Sequence, residues 1–207
     1  MPPTKLEKNL SNEFLKKGYI IRPVKDKKKL KDIADLLKYY AFKKIKKKIA
    51  NQKNFFNETH KFIPIEKLND FRLDLYNKVN KNKIFKKNYF ELAKPYLEHL
   101  VGNELVMQKR INLSIQFPAD DSSLLPLHSD TWSGDSPFEI VHWLPLVDCY
   151  KTKSMYILKP SKLKNFYKKF SLKGNKNSDF LFRNIKKDLS WINIKYCLLY
   201  TSPSPRD

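Results

Sequence analysis

Apolar and polar positions alternate with two different periods along the chain, and the change of period falls near Gly102. Before it, spacings of three and four dominate. The stretch GYIIRPV, residues 18–24, is short, apolar and β-rich and predicts a strand; Asp26 then caps a lysine-rich helix whose apolar positions Leu30, Ile33, Ala34, Leu37 and Ala41 share one face. Similar spacing predicts helices over 65–80 and 89–102. After Gly102 the period drops to two. In ELVMQKRINLSIQFP, residues 104–118, Leu113, Ile115 and Phe117 point one way, while Arg110, Asn112, Ser114 and Gln116 point the other, as in a strand with one polar face. Pro118 ends that strand, a loop follows, and FEIVHWLPLVDC (138–149) and SWINIKY (190–196) read as later strands. The pattern is a helical first half and a strand-rich second half.

Composition narrows this picture. The 207 residues, 41% of them hydrophobic, suit one domain with a buried core. The net charge of +21 would ordinarily point to nucleic acid. Yet the basic residues are 37 lysines against 5 arginines, whereas a dedicated phosphate reader favours the planar arginine fork. The excess lysine, with abundant Asn, Ile, Phe and Tyr, reads as AT-rich coding and solvated helix faces, so no specific nucleic-acid partner is expected. No stretch is apolar enough to span a membrane, and the polar first ten residues do not read as a secretory signal. The two cysteines, Cys149 and Cys197, have neither metal nor disulfide spacing. A cytoplasmic location is the expectation.

Candidate chemistry concentrates in LLPLHSDTWSGDSPFEIVHWLPLVDC, residues 124–149, which is poor in lysine. In an extended chain residues i and i+2 share a face, so the imidazole of His128 and the carboxylate of Asp130 can converge on one cation. A distant second histidine would complete the facial triad of non-haem Fe(II). The spacing alone arises easily by accident. His60 and His99 have no acidic or histidine partner at metal spacing and read as structural or exposed. Residues 134–137, GDSP, resemble the nucleophile block of one esterase family, with Ser136 as nucleophile. No histidine here follows an aspartate by three, however, and a turn is the better reading.

The block RINLSIQFPADDSSLLPLHSDTWSGDSPFEIVHWLPLVDCYKTKSMYIL resembles the Fe(II)/2-oxoglutarate-dependent oxygenases of bacterial carbohydrate-biosynthesis clusters, which serve cell-surface polysaccharide. The likeness is most specific in HSDTWSGDSPFE and WLPLVDCYKTKSM, and extends loosely over most of residues 1–196. It implies an α+β domain with a double-stranded β-helix, a cupin-like jelly-roll barrel over about 103–196, packed on N-terminal helices over about 1–102. It implies His128 and Asp130 as Fe(II) ligands, 2-oxoglutarate and O2 as cosubstrates, and a small carbohydrate-derived substrate oxidised at a C–H bond. On that reading Asn112, Ser114 and Gln116, on the polar strand face, would hold the cosubstrate, and Trp132 and Trp143 could stack on a sugar ring.

The family's late histidine and its following basic residue have no counterpart here. After SWINIKY the chain ends CLLYTSPSPRD, which resembles translated adapter sequence. Residues 197–207 are therefore expected to be a non-native tail on a domain cut short before the barrel closes. His142 is the only histidine downstream of the pair; it lies too early for the distal ligand and reads as a wall of the site or core. The alternative of a different class is a cupin-like module that binds sugar or metal without oxidising anything.

Overall fold

The computed structural model describes residues 2, 4–46, 52–121, 127–136, 138–170, 178–196 and 198–203. In chain order the elements are α1 (Lys5–Lys17), β1 (Ile20–Pro23), α2 (Lys27–Ile45), α3 (Phe55–Glu58), α4 (Leu68–Lys81), α5 (Lys83–Val101), β2 (Ile140–Trp143), β3 (Met155–Leu158), α6 (Pro160–Phe170), α7 (Ser178–Ile185), β4 (Leu189–Ile192) and β5 (Leu198–Pro203). They form two compact units, Val24–Leu124 and the two outer segments Met1–Pro23 with Leu125–Asp207. This division falls within the expected single domain of 1–196, at other points than its expected boundary near 102.

The inner unit is helical. Asp26 accepts a hydrogen bond from the Lys29 amide at 3.0 Å and starts α2, as its position in the sequence predicts. All five apolar positions named for that helix are buried. The chain breaks at Asn82, whose Oδ1 accepts from the Phe85 amide at 2.9 Å and so begins α5 as α4 ends. A core of Ala41, Phe55, Ile63, Phe71 and Leu75 gathers residues from α2, α3 and α4.

The strand expected over 104–118 does not form: the segment has no regular structure, bends at 109–110 and belongs to no sheet. Its alternation is real: Leu113, Ile115 and Phe117 pack on the helical core, and Asn112, Ser114 and Gln116 are exposed. What differs is the source of its backbone hydrogen bonds. Asn80 on α4 donates to the Ile111 carbonyl at 2.9 Å and accepts from the Ile111 amide at 2.7 Å, and Arg72 Nε donates to the Ile115 carbonyl at 3.0 Å. Helix side chains here do what a neighbouring strand does in a ladder.

The outer unit holds the sheets. Helix α1 opens with a Thr4–Glu7 capping box and closes at Gly18, whose φ of 78° suits glycine. An added Cβ there would stand 3.1 Å from the Pro160 ring. Strand β5 lies between β1 and β2, antiparallel to both, with Ile20 and His142 each opposite Thr201. Strands β3 and β4 form a separate antiparallel pair, extended by the Cys149–Ile194 bridge. Buried Ile192 and Ile194 anchor a cluster with Tyr19, Ile21, Trp143, Met155, Ile157 and Leu198; Phe166 of α6 and Ile185 of α7 anchor a second.

The chain is thus α+β with two small antiparallel sheets, and the described strands do not close a barrel. The strand expected over 138–149 is confined to β2, and the one expected over 190–196 becomes β4 with the Ile194 bridge. Residues 197–207, set apart in the sequence as a tail, contribute β5; Cys197 and 204–207 lie outside the described residues. Among the described residues no helix is long and apolar enough to cross a membrane.

Candidate functional site

His128 and Asp130 are brought together by a change of backbone conformation between them. Ser129 is extended, with φ −119° and ψ 139°, and Asp130 opens a 3-10 turn over Asp130–Ser133. Gly134, at φ 92°, closes the turn, its N–H donating to the Thr131 carbonyl at 3.1 Å. The Asp135 N–H donates to the Asp130 carbonyl at 3.2 Å. The turn expected over GDSP, 134–137, shares only Gly134 with it, and Pro137 lies outside the described residues. The 3-10 turn holds the aspartate backbone while leaving the carboxylate outside.

His128 Nε2 stands 3.6 Å from Asp130 Oδ1, and the two side chains are 45% and 31% exposed. Both donor atoms therefore face one accessible spot. Metal–nitrogen and metal–oxygen bonds of about 2.1 Å, set at a right angle, put two donors about 3 Å apart. The observed separation is a small side-chain rotation from that. The pair fits two positions of a His–Asp–His set. Among the described residues no group of three His, Cys, Asp or Glu is placed to hold a metal.

Between the two outward groups, the chain turns inward. Ser129 is 5% exposed, and its Oγ lies 2.7 Å from Thr131 Oγ1. Buried Ser129 thus meets the half-buried Thr131 across Asp130.

Glu139 adds an acidic group that sequence spacing did not single out. Burial raises its carboxyl above the ordinary carboxylate range, and the charges of Asp135 and Asp130 push it further the same way. The signal was present in SGDSPFE as two further acids after the His-Ser-Asp triplet. Only the turn brings their charges within range of one another.

The other expected residues have separate placements. His142 sits on β2 with Nε2 shut off from solvent, and desolvation pulls its imidazole down to about 4, so it is neutral at physiological pH. Trp143 packs with the Ile192–Ile194 cluster, the core placement for that ring. Trp132 belongs to the 3-10 turn, but its side chain lies outside the described residues. Asn112, Ser114 and Gln116 belong to the inner unit, and His128 and Asp130 to the outer one. His60 meets the Phe117 ring edge-on at 6.3 Å, and His99 lies in the last turn of α5. Burial raises the Cys149 thiol to about 11, which keeps it protonated and unreactive.

Comparison with family models, with curated proteins and with solved structures yields no match. The site stands on its own residues.

Proposed function

We propose that the chain is an Fe(II)- and 2-oxoglutarate-dependent oxygenase acting on a carbohydrate-related small molecule in the cytoplasm, its jelly-roll barrel built on the strands of the outer unit. The observation that carries the reading is the convergence of His128 Nε2 and Asp130 Oδ1 on one accessible spot. It adds geometry to the resemblance of the HSDTWSGDSPFE block. A neutral imidazole and a carboxylate are the donor types a facial Fe(II) site uses.

When bound, the iron would supply O2 activation coupled to decarboxylation of 2-oxoglutarate. The protein's part is to hold the two donors on one side of the turn. Burial and the charges of Asp135 and Asp130 raise the Glu139 carboxyl, and a cation beside Asp130 would relieve part of that repulsion.

Anaerobic titration with Fe(II) tests it. The chain should bind about one ion, and His128→Ala or Asp130→Ala should each abolish binding. Equal affinity in wild type and both variants removes the site. With no histidine after His142 to serve as the late ligand, this chain is expected to bind iron without forming succinate; succinate formed once a histidine-bearing segment is joined after Tyr196 supports the oxygenase, and none formed even then identifies the non-catalytic cupin-like module instead.

A further inference from the structure

We infer that the Ser129–Thr131 hydroxyl pair is the positioning device that holds His128 and Asp130 as a converged pair of metal donors. The inference rests on the metal reading above. Of the four consecutive residues, His128 is exposed, Asp130 and Thr131 are half-buried and Ser129 is buried. The donor atoms of His128 and Asp130 are 3.6 Å apart. Ser129 Oγ meets Thr131 Oγ1 at 2.7 Å.

A serine that precedes a helical turn ordinarily turns its hydroxyl to a backbone N–H of the first turn. Ser129 occupies that position ahead of Asp130–Ser133 and makes no such bond. Its hydroxyl spans Asp130 and joins the side chain of Thr131 instead. The bond therefore ties the residue before Asp130 to the residue after it. It fixes the point at which extended backbone becomes 3-10, and that point sets the angle between the His128 and Asp130 side chains. Outer-shell hydrogen bonds made to metal ligands themselves are worth about 10–100-fold in affinity; this one acts through the backbone between the two ligands, so a loss at the low end, about tenfold, is expected.

The test combines metal-free and metal-bound measurements on the whole chain. Three-bond NMR couplings report the χ1 rotamers of His128 and Asp130 without metal, and anaerobic Fe(II) titration, with Mn(II) as an air-stable probe, reports affinity. In wild type each side chain should hold one rotamer. Ser129→Ala and Thr131→Val should each average the rotamers and weaken both metals by about tenfold. The double variant should lose less than the sum of the two single ones, because both remove the shared Ser129–Thr131 bond. Thr131→Ser, which keeps the hydroxyl, should behave as wild type. A fall in unfolding midpoint with rotamers and affinity unchanged would show a merely structural hydroxyl pair and overturn the proposal. Wild type and Asp130→Ala binding metal alike would sink the metal reading, and with it the claim that the pair serves metal; averaged rotamers alone would then show only a clamp on the turn.

Discussion

Removing the Asn80 amide is the sharpest way to test how the irregular segment after α5 is held. Its Nδ2 donates to the carbonyls of Tyr76 and Ile111, both at 2.9 Å, and its Oδ1 accepts from the Ile111 amide at 2.7 Å. Ile111 is buried, at 6% exposure, so water replaces these bonds poorly. Each buried polar group left without a partner costs about 1–3 kcal/mol. Asn80→Ala strands the amide and the carbonyl of Ile111 together, and partial access of water brings the expected loss to about 2–3 kcal/mol. A loss of 2 kcal/mol corresponds to roughly a 30-fold shift in the opening equilibrium. Amide exchange at Ile111 and urea unfolding should both register it. Asn80→Asp, close to the same shape, should do no better at neutral pH, because it turns an oxygen toward two carbonyls that need a donor. Asn112→Ala, at an exposed position of the same segment, should change stability by less than about 0.5 kcal/mol. If Asn80→Ala proves equally silent and Ile111 exchange is unchanged, the segment is held by its apolar side chains alone.

Three further outcomes are expected. An unfolded histidine binds its proton near 6.5 and buried His142 near 4, so between those values the unfolded chain carries the extra proton. Stability should then fall as pH drops from about 6.5 to 4, by about 3 kcal/mol in all; His142→Gln should flatten the urea midpoint against pH, and an unaltered slope would contradict the burial argument. Binding to DNA should be unselective and lost steeply between low and physiological salt, as counterion release requires; sequence-selective retention at physiological salt, seen by fluorescence anisotropy, would show that the +21 charge has a dedicated partner. Deleting residues 197–207 removes the strand between β1 and β2, so the shortened chain should lose β circular dichroism and aggregate through its open edges. An unchanged unfolding midpoint would instead put that segment outside the fold, as its adapter-like sequence suggests.

Helices were legible where apolar spacing is unambiguous. The five positions named on α2 are its five buried residues. The first turns of α5, 83–88, were missed, because Lys83, Lys86 and Lys87 leave Ile84 and Phe85 as an adjacent apolar pair without helical spacing; the usable signal was Asn82, which caps it. α1 was hidden likewise in a polar stretch, although Thr4-x-x-Glu7 spells its capping box. Residues 104–118 show a different limit. A period of two tells which side chains face a core, but it is silent on what supplies the backbone partners, and here they come from Asn80 and Arg72. At the candidate site the i, i+2 spacing singled out His128 and Asp130 on the ground of an extended chain, whereas in the structure Asp130 already belongs to the 3-10 turn. The Ser129–Thr131 bond and the charge on Glu139 depend on the 3-10 turn, which no periodicity announces.

The division into an inner and an outer unit has a kinetic consequence. Residues 24–124 are contiguous, so the helices of that unit have one another as partners once it has left the ribosome. β1 finds its partner far along the chain: Ile20 pairs with Thr201, 181 positions later. At roughly 5–20 residues per second, that strand waits about 10–35 s during synthesis before its neighbour emerges. Helices from the middle of the chain can form during that interval, while its beginning is held open for its end.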